Sequence, residues 1–526
     1  MIAGLLFLVS AQDPLALRAD TLSLRHDALH YEARVELPAA GNRIRMEVRA
    51  RWRIASTEPV RLDLDTVFKV SRAEVGGRPV TPQRRGFALL LAHDRRPGDT
   101  VWTLVAYEGV PQDGLVIRGE GTARTVFADN WPDRARGWLA TQNHPGDKAT
   151  VSWSIAAPLG LGVVANGART GVDSSGPIAT WRFQMDQPIP VHTMVVGAAR
   201  FATAEVGRAG CPARCIPVSV MSFLPDSAFA VDGPFRRAHQ MVDFMAERFG
   251  PYPYAELRHV QSSTIFGGME NSTAIFYDQR AWSAGRLGEG IVAHETAHQW
   301  FGDAVSQSDW HHLWLSEGFA TYGAALWAEH TAGVEGLRGA MRQAAARVRS
   351  AEARARPILD PAESRLMSLL NANNYQKGSW VLHALRGLLG DSAFFDGLRT
   401  FASRYRHGNA LSRDFAQVMA EVSGRDLDWY FLQSLTQPGY PVLEVWTRPV
   451  GDSVTVEITQ VQDPAWGIYR IPGLVLELDG RRVTVDLDAP RVSRSFPRTG
   501  GGSPAVTVDP DGWWLLEVRT PFGREP

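Results

Sequence analysis

Gly267-Gly268-Met269-Glu270-Asn271, His294-Glu295-Thr296-Ala297-His298 and Trp314-Leu315-Ser316-Glu317-Gly318 follow one another between Thr264 and Tyr322. The middle piece is an H-E-x-x-H pattern. On a helix, residues four apart share a face, so His294 and His298 can reach one metal ion. Glu295 stands beside the first histidine, where its carboxylate can take a proton from a water activated by that metal. Gly288 and Gly290 end a loop, and Ile291-Val292-Ala293 begins an apolar stripe that Ala297 and Phe301 extend, which predicts a helix here.

Hydrolytic zinc usually takes three protein ligands and keeps one position open. Glu317, with eighteen residues between it and His298, lies inside the apolar run from Leu313 to Tyr322. A carboxylate in such surroundings is costly to bury unless something pairs with it, and a metal would do so. Each piece alone has an ordinary reading: a chance pattern on a surface helix, or a buried ion-pair partner. Together, in this order, His294, His298 and Glu317 read as the ligands of one zinc ion per chain.

This combination resembles peptidase family M1, the zinc aminopeptidases related to aminopeptidase N and leukotriene hydrolase. Pro251-Tyr252-Pro253-Tyr254, Trp300-Phe301-Gly302-Asp303, Asn374-Tyr375-Gln376-Lys377-Gly378 and Ala135-Arg136, with Asp147-Lys148-Ala149 after it, fall where the family has related segments. The resemblance runs from about residue 20 to 445. It implies a zinc-dependent aminopeptidase acting on peptides, with Gly267, Gly268, Met269, Glu270 and Asn271 beside the bound substrate. Glu270 would hold the substrate's cationic amino terminus and so restrict cleavage to the first residue. Tyr375 would stabilise the developing oxyanion. Asp303 and Thr321 are considered as partners for the outer ring nitrogens of the zinc histidines. His311 and His312 read as ordinary loop histidines. One departure stands out: aligned on Arg136, the acid or amide that the family sends towards the substrate amine falls on Trp131, with Asp129 and Asn130 before it.

Outside this region the chain is read by its periodicity. Residues 12–205 carry short alternating runs such as Arg43 to Trp52, separated by turns at Gly76-Gly77 and Pro97-Gly98, which predicts a β-sandwich or saddle. Residues 206–440 turn helical around the zinc motifs, with helices expected over 233–249, 335–355, 376–389 and 411–423 and a strand over 259–266. The resemblance makes this a thermolysin-like catalytic domain of mixed sheet and helices. Residues 441–526 return to alternation, with a hairpin turn at Asp479-Gly480, and read as a small C-terminal β-sandwich. The whole is therefore expected to be multidomain α+β. Larger relatives continue into a helical domain over the active site, so an open cleft is expected here, or one closed by a second subunit in a homo-oligomer.

The 55 basic and 56 acidic residues nearly cancel, which offers no electrostatic case for nucleic acid or an anionic membrane. No apolar run is long enough to span a bilayer. Residues 1–11 read either as the end of a secretory signal peptide or as a first buried strand. Cys211 and Cys215 could close a small disulfide loop, which favours a periplasmic or extracellular protein over a cytoplasmic one. Three other functions compete: epoxide hydrolysis, known in one family branch; an inactive scaffold, against which the complete motif speaks; and an endopeptidase, against which Glu270 speaks.

Overall fold

The computed structural model describes residues 13–18, 26–498 and 505–519. The possible leader over 1–11 lies outside them. The chain folds as a multidomain α+β protein, and each region follows its sequence periodicity. In the strand Ile44–Arg53, Ile44, Met46, Val48, Ala50 and Trp52 are buried while the arginines and Glu47 between them face outward. That period of two fits a sheet with one face on the core. The strand belongs to an eight-stranded sheet, in which Asp27–Glu36 pairs in parallel with Lys148–Pro158 and the other recorded pairings are antiparallel. Smaller sheets complete this N-terminal part.

A five-stranded sheet follows, ordered Phe201–Ala209, Ile216–Phe223, Leu257–Ser262, Ala274–Asp278 and Gly268–Met269. Its last strand sits at the edge, with Gly268 opposite Tyr277 and Met269 opposite Phe276. An edge strand leaves one row of backbone groups unpaired by the sheet. The strand expected over 259–266 instead ends at Ser262. There the Ser262 hydroxyl bonds the Thr264 hydroxyl and the Tyr277 carbonyl, giving the chain a local alternative to the ladder.

The helices around the motifs differ from expectation at their ends. The one expected over 233–249 is a 3-10 turn at Pro234–Arg237 followed by Ala238–Phe249. The one expected over 335–355 is part of Trp314–Ser350, broken at Gly333, which has φ +66°. The one expected over 376–389 begins with a π-helical turn, Asn373–Lys377, before Gly378–Leu389. The last runs Ser412–Ser423.

One continuous apolar core reaches from Leu15 to Leu435 across both regions. A polar tie crosses it: the buried Lys148 ammonium donates to the carbonyls of Asp303 and Ala304, at 2.8 and 2.9 Å. A second core, including Leu443, Val456, Ile458, Leu474 and Leu476, belongs to a four-stranded and a three-stranded sheet at the C-terminal end. Asp479 and Gly480 both have positive φ, and Leu478 pairs with Arg481 across them, as a two-residue hairpin requires. Cys211 and Cys215 are joined by a disulfide in the loop between Phe201–Ala209 and Ile216–Phe223.

Candidate metal centre and active-site cleft

The helix Glu289–His298 carries the H-E-x-x-H residues, and the N-terminal half of Trp314–Ser350 carries Glu317. The Nε2 atoms of His294 and His298 lie 3.1 Å apart, and Glu317 Oε2 is 3.3 Å from each. His298 Nδ1 lies 3.1 Å from the Phe301 carbonyl and 3.0 Å from the Ser316 hydroxyl. A carbonyl only accepts, so a ring proton belongs on Nδ1, which leaves Nε2 as the atom that would face a metal. Glu317 Oε2 is buried without a hydrogen-bond donor. Three donor atoms of types that zinc favours thus face one point, where a cation satisfies all of them. The residues fit the metal.

The outer shell differs from expectation. Neither Asp303 nor Thr321 touches the zinc-motif histidines by a recorded hydrogen bond. Asp303 instead accepts from Gln299, at 2.8 Å, and the Thr321 hydroxyl is buried without a partner. Ser316 and the Phe301 carbonyl hold His298 because the chain turns sharply after the helix, at Gly302, and returns at Ser316. His311 sits between Asp309 and the Glu363 carbonyl, and His312 between Ser412 and the Leu17 carbonyl, consistent with structural roles.

Glu295 and Glu270 complete a second cluster with His298, their donor atoms all within 4.8 Å of one another. Burial raises the Glu295 carboxyl well above its usual range; His298 offsets this, and the charges of Glu270 and Glu317 add to it. Burial likewise raises Glu270. Burial also opposes ionisation of Glu317, but His298 and the contacts with both histidines outweigh it and hold this carboxyl low. A group that stays ionised suits a ligand, and one pushed upward suits proton transfer.

Gly268 is packed directly on Glu295: a β-carbon there would lie 2.0 Å from Oε1. The edge strand therefore approaches the carboxylate as only glycine allows. Gln299, the residue after His298, donates to the Glu270 carbonyl and accepts from the Thr273 amide, at 3.0 and 2.9 Å. It fastens the Glu270 loop to the end of the zinc-motif helix. Sequence reading missed it, although its position directly after the motif was a usable signal.

Tyr375 reaches the centre from the π-helical turn. Its hydroxyl donates to Glu317 Oε1 at 2.7 Å, and its ring lies parallel to that of His294 with centroids 6.0 Å apart. Two glycines permit this approach, since a β-carbon on Gly318 would lie 3.0 Å from Gly378 Cα. Glu270, His294, Glu295, His298, Glu317 and Tyr375 line one cleft of about 680 Å³, together with Gly267, Gly268, Met269, Trp131, Phe266 and Ile291. Asn271 is buried behind it. Of the three N-terminal candidates, Trp131 lines the cleft, packed edge-on against Phe266 and Trp310. Asp129 is engaged by Arg134, and Asn130 by the Met194 carbonyl and Trp138.

Residues 234–434 match the peptidase family M1 domain. Probable aminopeptidase 2 of Sulfurisphaera tokodaii is 26% identical over 377 residues, covering 67% of this chain and 46% of that protein. The chain spans about half the length of the curated relatives it matches. In fold it is similar to the M1 zinc metallopeptidase of Deinococcus radiodurans, with TM-score 0.70 and 23% identity over 78% of this chain and 94% of that one. It is also similar to Legionella pneumophila aminopeptidase A, solved in complex with aspartic acid, with TM-score 0.82 and 16% identity over 95% of this chain and 60% of that one. The matched residues take in His294, Glu295, His298, Glu317 and Tyr375 and also Glu270.

Proposed function

We propose that the protein is a zinc-dependent aminopeptidase that removes first residues from peptides. The observation that carries the reading is the placement of Glu270 within one cluster with Glu295 and His298, beside the three candidate ligands His294, His298 and Glu317. Bound by those three, zinc would supply a Lewis acid that polarises a carbonyl and acidifies water. Glu270 would take the substrate's ammonium group by a charge-assisted hydrogen bond, which limits the peptide bond presented to the first. Glu295 would accept a proton from the attacking water and return it to the leaving amine. Tyr375 would turn its hydroxyl from Glu317 to the developing oxyanion. Gly267 to Met269, at the open sheet edge, would carry the substrate backbone.

This reading places an N-terminal β domain over 12–205, a thermolysin-like catalytic domain over 206–440 and a C-terminal β-sandwich over 441–526. The Cys211–Cys215 disulfide supports an exported enzyme.

The deciding experiment is hydrolysis of aminoacyl-nitroanilides beside their N-acetylated forms, for the unaltered protein, Glu295→Ala and chelator-treated samples. Cleavage of the free-amine substrates alone, lost in both controls, is the expected result. Equal cleavage of acetylated substrates would point to an endopeptidase. No cleavage by protein that binds zinc would overturn the reading.

A further inference from the structure

The cleft has one Lys or Arg side chain among its described lining residues, and the mechanism above does not use it. Arg347 lies on the second half of the helix Trp314–Ser350, beyond the break at Gly333. Gln343, four residues earlier, lines the same cleft, so the two side chains share one helix face. Between them and the first half of the helix the wall is small and apolar, with Ala324, Ala328, Ala340 and Ala344.

Two other arginines on this helix are engaged. Arg349 donates to the Leu516 carbonyl, and Arg338 pairs with Glu335 and Asp511. Arg347 is exposed, and its guanidinium makes no recorded ion pair or hydrogen bond among the described residues. The helix dipole favours cations in the last turn and accounts for Arg347 and Arg349 alike. It does not account for one of them facing the cleft with an amide one turn away.

The cleft thus offers carboxylates in one place, Glu270 and Glu295, and a guanidinium with an amide in another. A short peptide has the complementary pair of charges, an ammonium at one end and a carboxylate at the other. The guanidinium fork matches a carboxylate in two parallel hydrogen bonds. We propose that Arg347, assisted by Gln343, receives the C-terminal carboxylate of short peptide substrates, so that the enzyme prefers peptides whose length places both ends at once. This rests on the aminopeptidase reading above.

The test compares di-, tri- and tetrapeptides of one first residue, each as the free acid and as the C-terminal amide. For the preferred length, the acid is expected to exceed the amide about tenfold in kcat/KM, mainly through KM. Arg347→Met should bring the ratio to near one and Arg347→Lys should keep part of it. Arg342→Met, on the same helix but outside the cleft lining, should leave the ratio as it is. Thermal midpoints verify that the variants fold. Equal rates for acid and amide at every length, or a preference that survives Arg347→Met, would overturn the proposal. If aminoacyl-nitroanilides are cleaved in that case, only this proposal fails. If they are not cleaved either, the aminopeptidase reading fails with it.

Discussion

A β-carbon on Gly268 would sit 2.0 Å from Glu295 Oε1, so the strand that would carry substrate and the carboxylate that would move the proton are packed as one unit. Gly268→Ala must therefore displace either the strand or the carboxylate. The expected outcome is a loss of kcat of about 100-fold, the scale of a displaced general base, while zinc stoichiometry stays at one per chain. Steady-state kinetics with metal analysis checks it; full activity in Gly268→Ala would show that the contact is dispensable.

Glu270→Gln keeps the shape of the side chain and removes its charge. Because Gln299 holds the Glu270 backbone rather than its carboxylate, the loop should stay in place. Free-amine substrates should lose about 100-fold in kcat/KM, and the gap between free and acetylated substrates should narrow. A gap that stays as wide would remove Glu270 from amine recognition.

Metal removal has a readout apart from activity. Glu317 Oε2 is buried and faces two imidazole nitrogens, so a bound cation should stabilise the folded state. At a thousandfold excess of free zinc over Kd the gain is about 4 kcal/mol. Chelation should lower the thermal midpoint and zinc should restore it, and Glu317→Gln should lose most of the zinc-dependent shift. A midpoint indifferent to zinc would count against the site.

Gly318→Ala tests the helix contact that brings in Tyr375. The added methyl meets the Gly378 backbone at 3.0 Å, which cannot rotate away. Overpacking of this kind costs about 1–3 kcal/mol. The denaturation midpoint should fall, and kcat should fall further than in Thr400→Ala, a substitution at a partly exposed site on another helix.

Acid sensitivity should come partly from buried histidines outside the cleft lining. Burial pushes His259 from its ordinary value of 6.5 down to about 3 and His383 down to about 4. His383 is held between Tyr322 and the Gly512 carbonyl, and His259 meets Tyr277. Between pH 6.5 and those values the unfolded chain binds protons that the folded chain refuses, so stability falls as pH falls. Urea midpoints at pH 7.5 and 5.0 should differ less in His259→Phe than in the unaltered protein. An unchanged difference would remove His259 from the acid response.

Some of this was legible in the chain itself. The alternation from Arg43 to Trp52 determined which side chains of that strand are buried, because a strand's period is fixed by its backbone. The spacing of His294 and His298 determined that both rings share a helix face, for the same kind of reason. The Asp479-Gly480 pair marked its own hairpin through the φ angles these residues tolerate. Local geometry repeats, so local sequence can state it.

What joins distant segments was decided only by packing. Nothing near Tyr375 in sequence shows that its hydroxyl meets Glu317, since that depends on two helices crossing at Gly318 and Gly378. The same holds for Ser316 at His298, where Asp303 and Thr321 are the candidates that the sequence offers, and for Arg347, which lines the cleft from the half of its helix beyond Gly333. Sequence determined the chemical groups and their local faces. The tertiary structure decided which faces meet, because such contacts depend on the relative placement of whole elements, which no single segment encodes.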